Sequence, residues 1–377
     1  MSPTSGRTVR RDVRAGRGSP VGPQLLCPRP ESGLVPPLPV CAGRRAHTLS
    51  AVSAQPAVRI WNAPASYDLG GSLRVLRRGP YDPCFRAEGG AVWRGTRTPA
   101  GPATLRITAG GRLEPADPAD PAEASGCAGG SAGSVPVRAE AWGPGGDWCL
   151  ERLPSLLGAD DDPSAFVPHH RLTREAHRRH PGLRLARTGL VMEALIPSVL
   201  EQKVTTHEAY RAWRLLVRRY GERAPGPHDD LYVMPDARGW CRVPSWEWHR
   251  AGVDDKRSAT VVRAAQRAPR LEEAASMELA AAMRRLQLIP GIGPWTAAET
   301  LQRSNGDPDA LTVGDLHLPR IVGYSLTGAR DTDDAAMLEL LAPYEGQRHR
   351  AARLILLAGR APARREPRFP IGNIARL

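Results

Sequence analysis

The stretch Leu286-Gln-Leu-Ile-Pro-Gly-Ile-Gly-Pro-Trp-Thr-Ala297 decides how the rest of the chain is read. Apolar residues at helical spacing stop near Leu288, and Gly291 and Gly293 force a tight bend. Pro294 then opens a new helix, because its missing N–H is no loss in a first turn. Glycines without a Cβ let the backbone press against a ligand and reach positive φ. The second helix begins with free N–H groups and the positive end of its dipole turned outward, a place that suits a phosphate. A plain turn between two helices would use the same Gly-Pro pair, so the bend needs a second motif before it carries a function.

That second motif lies downstream. Leu311-Thr-Val-Gly-Asp315 puts an aspartate 22 positions after Gly293. Alone, Asp315 reads as the N-cap of the helix that follows. Together, hairpin and aspartate resemble the helix-hairpin-helix DNA glycosylase superfamily, where a Leu-Pro-Gly-Ile/Val-Gly hairpin is followed at about this distance by an essential Asp. The resemblance makes Asp315 the expected catalytic residue, a role that can coexist with capping. Breaking an N-glycosidic bond develops positive charge on the deoxyribose. A nearby ionised carboxylate stabilises that state and orients or deprotonates the attacking water.

Within the superfamily the chain is similar to the 3-methyladenine DNA glycosylase II branch over about residues 57–360. Gly-Pro-Trp-Thr-Ala297, Tyr67-Asp-Leu-Gly-Gly-Ser-Leu73 and Arg78-Gly-Pro-Tyr-Asp82 carry the likeness. So do Leu195-Ile-Pro-Ser-Val-Leu-Glu-Gln-Lys-Val204, like the loop bearing a DNA-intercalating residue, and Pro343-Tyr-Glu-Gly-Gln-Arg-His-Arg-Ala351, like the closing helix. Bifunctional members have a lysine where this chain has Trp295. The resemblance therefore implies a monofunctional enzyme that frees an alkylated base of the 3-methyladenine type, without strand cleavage, in base excision repair. Gly291, Gly293, Thr296, Gln202 and Lys203 are the expected DNA contacts. Trp295, Glu299 and Leu316 are the expected base pocket, with Trp295 offering its face to a cationic base. Glu299 and Leu316 replace the family's aromatics, and Lys203 stands at the wedge position in place of an apolar side chain. The family's hairpin also holds a monovalent cation, Na+ or K+; the matching carbonyls are those of Gln287, Ile289 and Ile292. No other cofactor is expected.

Composition agrees without deciding. Lys and Arg number 52 against 39 Asp and Glu, a formal charge of +13, and only Lys203 and Lys256 are lysines. A basic excess points to a polyanion such as DNA, although GC-rich coding inflates Arg, Ala, Gly and Pro together. Cys27, Cys41, Cys84, Cys127, Cys149 and Cys241 form no close CxxC pair, which argues against zinc and an iron–sulfur cluster. No apolar run approaches the ~20 residues that span a bilayer. The expected partner is double-stranded DNA with damaged bases, bound by a monomer in the bacterial cytoplasm, at the nucleoid. A glycosylase for another lesion and a non-catalytic DNA-binding module are the competing readings. A generic RNA-binding protein fits less well, since the aromatic stacking motif of such domains is missing.

The expected fold class is α+β: a small N-terminal antiparallel β-rich domain over 57–150, then an all-α helix-hairpin-helix glycosylase domain over 151–362. A disordered basic tail, 1–56, precedes them, and a C-terminal tail, 363–377, follows. Ser72-Leu-Arg-Val-Leu76, Ala91-Val-Trp93, Ala103–Thr108 and Val135–Arg138 alternate like strands, with a loop between Leu113 and Val135. Helical periodicity covers 191–204, 209–220, 256–268, 271–288, 295–304, 317–326, 334–341 and 347–358, and Ser245 is placed to cap a helix through Trp246 and Trp248. Trp213, Trp240, Trp246 and Trp248 are expected to pack in the core.

Overall fold

The computed structural model describes residues 55–110, 133–359 and 361–362. The expected C-terminal tail, the N-terminal tail apart from Gln55 and Pro56, and most of the 113–135 loop lie outside that range, as do Cys27, Cys41 and Cys127. Five antiparallel strands form one sheet: β1 (Ala57–Pro64), β2 (Phe85–Glu88), β3 (Ala91–Thr98), β4 (Gly101–Ala109) and β5 (Ser134–Trp142), in the order β1-β5-β4-β3-β2. Alternation sets its faces. Ala103, Leu105 and Ile107 of β4 and Val137, Ala139 and Ala141 of β5 are buried, and they share a core with Leu150, Leu153 and Leu157 of the short helices behind them.

Residues 72–76 are not a strand. Asp68 caps a short helix, Leu69–Leu73, accepting from the Gly71 amide at 2.8 Å, and a 3-10 turn, Arg74–Leu76, continues it. Leu69, Ser72 and Leu73 are its buried residues. Buried residues at i, i+3 and i+4 on a capped turn, two leucines and a serine, outcompeted the period-2 reading of the same letters.

The second half is helical except for a two-residue ladder, Glu222–Arg223 with Tyr232–Val233. At its centre lies helix Val191–Leu200, buried at every position except Glu193. Glu193 pairs with Arg94 and Thr96 of β3, so the one charge on this helix pins it to the sheet. The helix stops at Leu200, four residues short of the periodicity. Glu201 turns to Arg78 at 2.8 Å, and Lys203 adopts φ +53°. The next helix, Thr206–Tyr220, starts on a capping box in which Thr205 and Glu208 exchange bonds. Gly221 is its C-cap.

The expected single helix over 271–288 is broken into Ala268–Glu272, a 3-10 turn at Glu273–Ser276, and Leu279–Gln287. Tertiary bonds take the place of helical ones there. Glu272 accepts from the Val191 and Met192 amides at 2.7 and 2.9 Å, and the Ala274 and Ala275 carbonyls accept from Asn305 and Arg187. Trp213, Trp240 and Trp248 are buried and stacked, with centroids 6.4 and 5.9 Å apart. Each such pair is worth ~0.5–1.5 kcal/mol beyond area. Trp246 departs from the expectation: it is 68% exposed. Its helix, Ser245–Ala251, is preceded by Pro244 and has no side-chain cap.

Candidate active site

Helices Leu279–Gln287 and Pro294–Ser304 flank the bend, and the two glycines between them do different work. Gly291 has φ +100°, and a Cβ there would collide with Thr260. Gly293 is the N-cap of the second helix, with extended φ −98° and ψ −177°, and a Cβ there would meet nothing within 4 Å. Only Gly291 uses the left-handed freedom expected of both. Gly293 is bare towards the outside. Gln202 Nε2 donates to the Gly291 carbonyl at 2.9 Å and to Thr296 Oγ1 at 2.7 Å, and Arg263 donates to the Pro290 carbonyl at 3.1 Å. Gln202 and Thr296 therefore clamp the bend from within, and Thr296 is buried. Lys203 stands exposed beside them.

Asp315 is half-buried and held by three donors. Its Oδ1 accepts from the amides of His317 and Leu318, each at 2.8 Å, which satisfies two amides at the start of helix Leu318–Thr327, whose N-cap residue is His317 and not Asp315. Its Oδ2 accepts from the Trp295 indole N–H at 3.0 Å. An ionised carboxylate has about four acceptor positions, so the second lone pair of Oδ2 stays available. Bonding to those amides and the position beside a cleft coexist in one side chain. Trp295, two residues past Gly293, joins the bend to the carboxylate.

Asp315 lines a cleft of about 440 Å³. Its wall combines Glu299, Gln302 and Arg303 from the hairpin's second helix with Leu311, Thr312, His317, Leu318 and Ile321. Gly71, Arg74 and Val75 come from the sheet-bearing half, and His349 and Arg353 from helix Arg348–Leu357. Glu299 is in the wall but engaged, accepting from Arg303 at 2.7 Å and from Thr312 Oγ1 at 3.0 Å. Gln302 donates to the Ala310 carbonyl and Thr312 Oγ1. Leu316 is 68% exposed and Trp295 half-buried; neither belongs to the wall.

Sequence reasoning missed Arg303, Arg353 and His349. Burial and the neighbouring Arg353, Arg303 and Arg350 push the His349 imidazole well below its usual 6.5, which leaves it neutral. Burial and three arginines, Arg303, Arg350 and Arg74, bring Arg353 down to about 10, so it stays charged at neutral pH. Its one sequence signal was the i, i+4 pair His349 and Arg353 on a helix otherwise rich in apolar residues.

No family model matches the chain. Two curated relatives, both described as a probable bifunctional transcriptional activator/DNA repair enzyme AlkA of Mycobacterium tuberculosis (strains CDC 1551 / Oshkosh and ATCC 25618 / H37Rv), are 30% identical over 172 residues. That match covers 45% of this chain and 32% of theirs, so the chain spans about a third of the relatives' length. Among solved structures, a 3-methyladenine DNA-glycosylase from Archaeoglobus fulgidus superposes with TM-score 0.60 at 16% identity, over 80% of this chain and 98% of that one. An 8-oxoguanine glycosylase/lyase of Clostridium acetobutylicum, complexed with double-stranded DNA, gives 0.57 at 11%, over 80% and 97%.

The chain shares the fold of these glycosylases. Its five-stranded sheet and helical body match the α+β class read from the sequence. Structural neighbours named for two different lesions share it, so the fold by itself does not choose a base. No helix among the described residues is long and apolar enough to cross a membrane, and the described cysteines Cys84, Cys149 and Cys241 are free. The described residues hold no cluster of His, Cys, Asp and Glu that could bind a metal ion.

Proposed function

We propose that the protein is a monofunctional DNA glycosylase that hydrolyses the N-glycosidic bond of a damaged nucleotide in duplex DNA, as a monomer, with Asp315 as the catalytic carboxylate. The observation that carries this reading is the Trp295–Asp315 bond of 3.0 Å, which couples the glycine bend to a carboxylate on the wall of a base-sized cleft. The bend's free amides and the basic Arg263 and Lys203 hold the sugar-phosphate chain, and the damaged nucleotide swings out of the stack. Its base enters the cleft. The C1′–N bond breaks and its electron pair leaves with the base. The Asp315 charge stabilises the cationic sugar, and water adds to C1′ while its proton passes to the carboxylate or to solvent. With Trp295 where a Schiff-base lysine would stand, the backbone stays uncut.

A monovalent cation at the bend belongs to the same reading. The carbonyls of Gln287, Ile289 and Ile292 would hold it, and its positive charge would favour a nearby phosphate. The Ile289 carbonyl already accepts the Ile292 amide at 3.0 Å, so it would offer only its second lone pair.

The AlkA relatives are named for DNA repair and not for a base, so that likeness leaves the lesion open. The feature expected to select one, the Trp295 ring, is not part of the cleft wall. The reaction is tested with Asp315→Asn and a duplex carrying one lesion. The wild type frees the base and leaves strands intact until heated in alkali, and the variant binds as well but releases base at least ~100-fold more slowly. A variant that releases base at the wild-type rate refutes the role of Asp315.

A further inference from the structure

Four buried side-chain polar atoms among the described residues have no hydrogen-bond partner in the protein: Tyr67 Oη, Arg106 Nε, Trp240 Nε1 and His349 Nε2. Of these residues only His349 lines the cleft. His349 is 7% exposed. Buried polar atoms are nearly always bonded, and an orphan in a cleft wall marks a place where a ligand completes the bonding.

The rest of the wall states what kind of ligand. No Trp, Tyr or Phe is among the described residues that line the cleft, so a cationic base would find none of the large ring faces that attract it. Three arginines, Arg74, Arg303 and Arg353, face two carboxylates, Glu299 and Asp315. Arg303 and Glu299 neutralise each other at 2.7 Å. Asp315 sits where the sugar charge develops, and Arg74 and Arg353 remain as cationic wall. Burial first, and then the neighbouring arginines, keep a proton off His349; two of those arginines, Arg303 and Arg353, line the cleft.

The chemistry of departure gives the arginines a use. An N-alkylated cationic base leaves neutral once it takes the electron pair of the C1′–N bond. A neutral base leaves as an anion, which must be stabilised until it takes a proton from water. Guanidinium groups beside the departing ring supply that stabilisation.

We propose that the cleft selects a neutral base, bonded at its edge to His349 Nε2, over a cationic N-alkylated one. His349 is then a specificity-determining residue, and Arg353 and Arg74 stabilise the base as it departs. This rests on the glycosylase reading and names the substrate class within it.

The test uses the full chain and three duplexes, each with a single lesion: hypoxanthine or 8-oxoguanine as neutral purines, 7-methylguanine as a cationic one. Single-turnover release is expressed relative to spontaneous release from the same duplex, because methylated purines are lost unaided. Enhancement for at least one neutral purine should exceed that for 7-methylguanine tenfold or more. His349→Phe should lower release of that purine tenfold or more with duplex affinity unchanged, and His349→Gln, which restores a donor and an acceptor, should recover part of it. Thermal melts of both variants separate loss of the fold from loss of recognition. Equal or greater enhancement for 7-methylguanine, or full release by a folded His349→Phe, overturns the proposal and leaves the glycosylase reading standing. Absence of release from all three duplexes overturns both.

Discussion

The two glycines of the bend should fail in opposite ways when each receives a methyl group. Gly291→Ala forces an L-residue to φ +100°, and its Cβ displaces Thr260. The left-handed backbone costs ~1–2 kcal/mol. Moving Thr260 endangers its bond to the Lys256 carbonyl at 2.7 Å and the one it accepts from Arg263 at 3.1 Å. Each is worth ~1 kcal/mol net. The sum with both bonds lost is about 3–4 kcal/mol, a large part of the ~5–15 kcal/mol that holds a protein folded. Gly293→Ala keeps an extended φ and touches nothing within 4 Å. Its weaker N-cap costs ~0.5–1 kcal/mol, offset by ~0.4–1 kcal/mol from a stiffer unfolded chain. That methyl nevertheless stands on the face where the DNA backbone should approach, so affinity should fall about tenfold, equivalent to ~1.4 kcal/mol. Urea unfolding reads the first effect, and fluorescence anisotropy with an abasic-site duplex at fixed salt reads the second. Wild-type binding by Gly293→Ala would show that the outer face of the bend does not meet DNA. An unchanged unfolding midpoint for Gly291→Ala would refute the steric argument.

Lys203, the one described non-glycine residue at positive φ, should tolerate glycine: Lys203→Gly leaves stability unchanged or raises it by up to ~1 kcal/mol, yet slows base release from duplex more than from single-stranded substrate. Equal slowing on both substrates would remove Lys203 from the duplex-opening step. Because the folded His349 resists a proton that the unfolded chain accepts near 6.5, the unfolded state binds more protons below that pH. Stability should therefore fall with acid by ~1.4 kcal/mol per pH unit from this group, starting near pH 6.5. Urea midpoints between pH 7 and pH 5 should show a flatter limb in His349→Gln. His170 and His177, also lowered by burial, keep part of the slope.

What the sequence disclosed was local. The bend, the helix after it and the aspartate follow from glycine, proline and capping chemistry within a few residues, and the helix Asp334–Leu341 matched its periodicity to the residue. Residues 72–76 misled because apolar and polar letters alternate there, while the deciding contact is the Asp68 cap just upstream of them. The break at 273–278 could not be read, since its carbonyls answer to Asn305 and Arg187. Trp295 was legible as a site residue but not in its part: its N–H holds Asp315, and its ring stands outside the wall. The cleft itself was the least legible feature, because Gly71 and Arg353 meet across 282 positions of sequence.

That meeting divides the labour of the molecule. Arg353 donates to the Gly71 carbonyl at 2.7 Å and Arg303 to the Val75 carbonyl at 3.1 Å, so a short turn from the sheet-bearing half joins Asp315, the proposed catalytic carboxylate, in the wall of one cavity. On the proposed reading, substrate preference can drift through replacements at Arg74 and Val75, which line the cavity, while Ser72 and Leu73 stay fixed in the core. A library randomised only at those two positions would vary the cavity wall and leave Asp315 and the glycine bend untouched.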